Sequence, residues 1–430
     1  MAAHAHPHTH DGAELDLPRG EAHRARWVLT ALVVPLLIAT IAGLVALWPR
    51  GETPIGSVPV AGTGMTVEHG TVVEVVTDPD DVESGAPPGG TADQAGGQVR
   101  VELTTGSGAG QVVPVQVPPE VMRGGIEPGD DLKLMFSPQA MGTGSPYVFW
   151  DFDREAPIGW LALGYALAVL VVARLRGLAA MAGLGASLAI IVFFVIPAIM
   201  LGSPPVLVAL VGSGGMLFLS LYLAHGISIR TTTALLGTFV GLAITVVLAL
   251  WGTDAANLTG ANSDASLMLM SDFENLSLRE VLLCGIVIAG LGALNDVTIT
   301  QASAVWEIHA TDRTLPRRTL MARGMRIGRD HIASTVYTLA FAYVGTALPL
   351  LMAAAMMDRA FLDTLMAGEI AEEIVRTLVS SIGLVLAIPA TTGIAAALVR
   401  TSRPRRGRGE DGSHTRPGLT ESEGRATMAP

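Results

Sequence analysis

LGALNDVTITQASAVWEIHATDRTLPRRTLMARGMRIGRDHIASTVYTLAFAYVGTALPLL, residues 291–351, consists of two apolar runs joined by an arginine-rich loop. The first run contains Asn295 and Asp296. A carboxylate in hydrocarbon costs roughly 3 kcal/mol or more, so such a residue faces a bundle interior, a water path or a partner. The stretch therefore sets the class, membrane helices joined by a basic loop, and makes Asp296 the first place to look for chemistry.

The rest of the chain carries the same signature. Of 430 residues, 50% are hydrophobic and only 15% charged, with a mean hydropathy of +0.49. Apolar segments long enough to cross about 30 Å of hydrocarbon recur. Eight spans are expected: Trp27–Trp48, Ile158–Ala173, Leu178–Leu201, Val206–Ala224, Thr231–Trp251, Val281–Gln301, Ile332–Met357 and Ile374–Val399. With the N-terminus inside, the inner segments hold Arg19, Arg24 and Arg26, then Arg174 and Arg176, then Arg230, then six arginines from Arg313 to Arg329 and seven from Arg400 to Arg425. The outer short loops are mostly acidic. This asymmetry obeys the positive-inside rule and puts both termini in the cytoplasm. The net charge of -11 then reflects topology, and it suggests no nucleic-acid partner. The single cysteine, Cys284, excludes an intramolecular disulfide. The first run is long for a signal sequence and lacks a small-residue cleavage site, so it reads as a retained anchor.

Between the first two spans, residues 50–155 follow a different pattern. Short β-rich pieces starting at Gly70, Gln98, Gln111, Asp131 and Tyr147 alternate with Gly, Pro and Asp turns. About five strands suit a small all-β, OB-like or SH3-like extracytoplasmic barrel, with residues 80–97 as a long loop. The predicted architecture is a cytoplasmic tail (1–26), an anchor (27–48), the β domain (50–155), a seven-helix membrane domain (156–400) and a second tail (401–430). Both tails are polar enough to predict disorder.

Ser277 and Glu280 form a plausible capping box that opens the sixth span. At 1.5 Å per residue, Asp296 then lies roughly 22 Å below the external end. Helical spacing aligns it with Gly285, Ala289, Gly292, Thr300, Ser303 and Glu307, a stripe of small residues for close helix approach and polar ones leading toward the cytoplasm. A carboxylate held away from water exchanges protons nearer neutral pH than an exposed one, which suits proton coupling. Two further readings stand beside this one: a packing role through hydrogen bonds to threonine or backbone groups, and a catalytic acid. The seventh span opens with Arg326, Arg329, Asp330 and His331. Arg326 and Asp330 are one turn apart. Ser334 and Thr338 are candidates to supply hydroxyls to Asp296, while Arg329 and Asp330 are candidates for a gate pair. Arg317, Arg318 and Arg323 read more simply as headgroup anchors, and Gly345, Pro349 and Pro389 as sites that permit kinks.

His4, His6, His8 and His10 alternate in the N-terminal tail, a pattern compatible with zinc, copper or nickel but lacking the fixed geometry of a structural site. Zinc-hydrolase, Walker, dinucleotide and nucleophile-elbow motifs are absent from the sequence, so no enzymatic activity and no cofactor is expected.

Within residues 292–352, Gly292-Ala-x-x-Asp-Val, Ser303-Ala-x-x-Glu-Ile, Gly324-Met-x-Ile-Gly-Arg-Asp and Ala342-Tyr-x-Gly-x-x-Leu-Pro-Leu resemble the signature of the YibE/F family of bacterial multipass membrane proteins. The matches fall on Asp296, Glu307, Gly324, Gly328, Arg329, Asp330, Tyr343, Gly345 and Pro349. The resemblance implies a bacterial cytoplasmic membrane and supplies no substrate. A shorter similarity, Leu294-Asn-Asp296 followed by a basic turn and a hydroxyl-rich span, resembles SecD/SecF and RND-type permeases, whose membrane carboxylate couples proton flow to external work. The resulting expectation is a permease-like protein acting on a solute through Asp296. The alternative is a membrane scaffold that displays the barrel to an envelope protein.

Overall fold

In the computed structural model the described residues are 19–53, 55–56, 64–76, 97–140, 145–273, 276–358 and 360–399. The four tail histidines, both tail ends and most of the expected long loop lie outside them.

The external strands form where hydrophobic alternation has a period of two. β1 (Thr66–Val76), β2 (Gly97–Leu103), β3 (Val112–Val117), β4 (Asp131–Phe136) and β5 (Tyr147–Phe152) close into a barrel in the order β1-β2-β3-β5-β4. All pairs are antiparallel except β3 with β5. A short helix, α2 (Pro119–Arg123), sits between β3 and β4. Of the two forms expected, this is the OB-type connectivity. Val99, Val101, Val115, Leu132 and Leu134 point inward and are fully buried. In β1, a side chain on Gly70 would run into Val101 and the carbonyl of Glu102, close to the bulge between Val72 and Glu74.

The barrel is tied to the membrane helices by charge. His69 Nδ1 meets Asp153 Oδ2 at 2.8 Å, and Lys133 Nζ reaches Asp153 at 3.8 Å and Glu155 at 2.8 Å. Glu155 is the first residue of α3 (Glu155–Ile190), so strands β1 and β4 are clamped to the start of a membrane helix. The Glu155 backbone N–H, then His69 and Lys133, hold the Asp153 carboxyl below the usual carboxylate range. Burial, with Glu68 nearby, pushes the Tyr147 phenol up.

The helical part comprises α1 (Arg19–Ala46), α3 (Glu155–Ile190) continuing through a π turn (Ile191–Val195) into α4 (Ile196–Met200), α5 (Pro205–His225), α6 (Ile229–Ala255), α7 (Asp264–Asp272), α8 (Leu278–Ala289), α9 (Leu291–Thr311), α10 (Arg317–Thr346), α11 (Leu348–Ala355), α12 (Phe361–Leu365) and α13 (Gly368–Leu398). Among the described residues, six helical segments are long and apolar enough to cross a membrane, or seven if α10 and α11, bent by 64°, form one span. Eight were expected, and the counts part where the second and third expected spans run together as one 46-residue segment, Glu155–Met200. A straight helix of that length would measure roughly 69 Å, twice the hydrocarbon thickness. It is not straight: Arg174 has φ 54° and ψ −137°, and a Cβ on Gly177 would lie 2.7 Å from the carbonyl oxygen of Val169, eight residues earlier. The chain therefore turns sharply at Arg174, between the two apolar arms.

The bundle centre is built by α6, α9 and α13, with α10 packed on α9 and α13, and α5 linking α3 and α1 to the rest. Small residues allow this close approach. Gly237 abuts Thr391, Gly241 abuts Ala387 and Leu294, and Gly383 abuts Thr245. Ser228 caps α6 by accepting from the Thr231 N–H at 3.1 Å, and Ser277 caps α8 by accepting from the Glu280 N–H at 3.4 Å. The second of these is the N-cap half of the expected capping box. The kink expected around Gly345 and Pro349 is the sharp bend between α10 and α11, whereas α13 runs through Pro389 as a single helix.

Candidate functional site

Asp296 lies on α9, six residues past the break at Gly290. It is exposed on the protein surface, as are Thr300 and Glu307, while Ser303 is half-buried. The predicted stripe is thus a real face of α9, but an outward one, and the desolvated carboxylate expected from the sequence is not enclosed by protein. Asn295 beside it turns inward: its Nδ2 donates to Ser220 Oγ of α5 at 3.3 Å, and its buried Oδ1 has no partner among the described residues. Asp296 is within electrostatic reach of His225 at the C-terminal end of α5.

One turn further along this face begins a cavity of about 920 Å³. Its walls come from α1 (Arg26, Thr30), α3 (Arg176), the α5–α6 turn (His225, Ser228, Arg230) and α9 (Ile299, Ser303). Glu307 closes the α9 side, with its Oε1 2.7 Å from Arg230 Nη2. Arginines of three separate sequence segments thus meet at one end of the bundle. That end also holds the contact between the last turn of α13 and the first of α10, where Arg317 Nε donates to the Val399 carbonyl at 3.1 Å.

The α10 candidates lie elsewhere. Arg329, Asp330, Ser334 and Thr338 are all exposed. Ser334 Oγ donates to the His331 carbonyl at 3.0 Å, and Thr338 Oγ1 to the Ser334 carbonyl at 3.0 Å. Their hydroxyls serve their own helix and are not bonded to Asp296. Arg326, Arg329 and Asp330 form no ion pair among the described residues.

What joins α9 to α10 is a group that the sequence reading did not single out. Gln301, 2% exposed, donates from Nε2 to the Gly324 carbonyl of α10 at 2.9 Å and to Thr392 Oγ1 of α13 at 2.7 Å. Gly324 and Gly328 make this possible: a Cβ on Gly328 would stand 2.5 Å from Ile388 and 3.1 Å from Gln301 Oε1. Further along, Thr238 and Thr298 share a hydrogen bond of 2.6 Å between α6 and α9, and the Trp306 indole N–H donates to Thr233 at 3.3 Å. In a bundle without a hydrophobic drive between helices, such buried polar contacts fix the register.

The bundle thus has a buried polar centre and an arginine-lined cavity that one face of α9 enters. Searches among curated proteins and among solved structures return no match to the chain. A family described as YibE/F-like protein matches residues 161–401, most of the helical part and none of the barrel. That is more than half of the 430 residues, and the chain belongs to the YibE/F-like family.

Proposed function

We propose that this YibE/F-like chain is a permease of the bacterial cytoplasmic membrane, crossing it eight times with both termini inside and the barrel outside. In this reading the turn at Arg174 divides Glu155–Met200 into two crossings, and α10 with α11 makes a single bent one. Asp296 carries the coupling proton, and the cavity below it is the cytoplasmic vestibule. The observation behind the proposal is the continuity of the α9 face, from exposed Asp296 through Thr300 to Ser303 on the cavity wall and Glu307 at its edge. A carboxylate at membrane depth with a polar route to one side has the arrangement of a proton relay. His225 is the titratable neighbour within electrostatic reach of Asp296 that would sense its protonation. The reading includes no enzymatic step.

The test is Asp296→Asn in reconstituted vesicles. Flux driven by a pH gradient is lost, while expression, insertion and the detergent elution profile match wild type. Undiminished flux would rule the coupling role out.

The rival reading is a scaffold that presents the barrel to an envelope partner. It is favoured by the buried hydrogen bonds at the bundle centre, Gln301 to Thr392 and Thr238 with Thr298, which hold the helices in register. Under that reading, Asp296→Asn leaves the cellular phenotype whole and removal of the barrel abolishes it.

A further inference from the structure

The permanently charged residues that line the cavity are Arg26, Arg176 and Arg230; among the described lining residues there is no carboxylate, and Glu307 stands at the edge. Glu307 engages one nitrogen of Arg230, at Nη2, yet Arg230 Nε is buried with no partner among the described residues. An acceptor brought into the cavity would meet guanidinium groups from two helices, and charge-assisted hydrogen bonds of this kind are strong. Helix α6 also starts at this cavity, and the first turn of a helix favours negative charge. The hydroxyls of Thr30 and Ser303 add neutral donors, whereas Leu29, Leu223 and Ile299 give the remaining wall an apolar character.

We infer that the cavity binds a phosphate ester, its oxyanion held between Arg26 and Arg230 and its organic part lying on the apolar wall. Planar guanidinium forks match phosphate geometry, and two of them approaching from different helices fix its orientation. The volume of about 920 Å³ falls within the range of small-molecule sites and far exceeds what a bare phosphate fills, which is why an ester with a sizeable organic part fits. The same chemistry belongs to a soluble phosphorylated solute and to an anionic lipid headgroup. The inference rests on the cavity being the open vestibule of the permease reading, but not on flux through it.

The experiment uses the full chain in maltoside micelles, which contain no phosphate. Inorganic phosphate is titrated by calorimetry. Separately, phosphatidylglycerol is added to the micelles and its retention is read by native mass spectrometry. Binding to at least one probe is expected, weakened roughly tenfold in Arg230→Gln and in Arg26→Gln. Arg26 is exposed on α1, so its variant keeps the test sound if the loss of the Arg230–Glu307 bridge perturbs folding. Binding of inorganic phosphate assigns a soluble source, and binding of phosphatidylglycerol alone assigns the lipid headgroup. No binding of either probe, or affinities unchanged in Arg26→Gln, overturns the inference. Flux on the same preparation separates the two readings: pH-driven flux without phosphate binding removes the ligand and leaves the permease, and binding without flux does the reverse.

Discussion

Gln301 and Asp296 are five residues apart on one helix, a rotation of roughly 140° about its axis. That angle separates two chemistries: Asp296 looks outward toward the cavity face, and Gln301 looks inward to α10 and α13. Gln301→Ala strips the Gly324 carbonyl and the Thr392 hydroxyl of a shared donor in a buried site, for an expected cost of about 2 kcal/mol. The thermal unfolding midpoint in detergent should fall accordingly, and an unshifted midpoint would show that the node adds nothing. Gly328→Ala should cost about 1–3 kcal/mol on the same assay, because its methyl meets Ile388 at 2.5 Å and α10 must withdraw from α13. The two glycines were legible in the sequence, as part of the motif resembling the family signature. Gln301 was not, because one amide in an amphipathic run does not reveal which neighbour it faces until two other helices are placed around it. The same is true of Ser334 and Thr338, whose spacing suited a bond to Asp296 but whose hydroxyls cap their own helix turns.

For the elements, the strands were the most legible, since period-two alternation and short turns leave little freedom once one face must be buried. All five lie where the β-rich pieces predicted them, and the pairing order chose between the two candidate barrels. The helix boundaries were less legible: hydropathy shows where apolar residues run, but not that Arg174 takes a left-handed backbone or that the chain widens into a π turn just before Pro197. The clamp between barrel and α3 gives a pH prediction. Asp153 has a folded-state pKa below its unfolded one, so its contribution is present above about pH 4 and is lost as pH falls through the lower, folded value. Barrel unfolding followed against pH should show this acid limb in wild type and not in Asp153→Asn. An identical limb in both proteins would assign it to other carboxylates.

Across the whole molecule, three of the arginines that sequence counting assigned to one side of the membrane, Arg26, Arg176 and Arg230, line one cavity. This convergence was foreseeable from the positive-inside rule, but the cavity was not, because its walls come from segments up to 280 residues apart. The proposed orientation is checked by cysteine labelling in whole cells. Cys284 is buried and serves as a silent background. A membrane-impermeant maleimide should label Ser107→Cys, on an exposed barrel loop, and should label Thr314→Cys, in the exposed α9–α10 turn, only after permeabilisation. The reverse pattern would invert the topology.

The arm of α3 from Glu155 to Arg174 presents Ile158, Trp160, Leu161, Val171 and Val172 outward, with little of the bundle against it. At its upper end the same arm is ion-paired to the barrel through Glu155. A helix surrounded mainly by lipid adjusts its tilt to hydrocarbon thickness, at a cost of fractions of a kcal/mol per Å. The barrel is therefore mounted on a strut whose angle follows the bilayer, so changes in acyl-chain length or membrane tension would alter its stance before any ligand arrives.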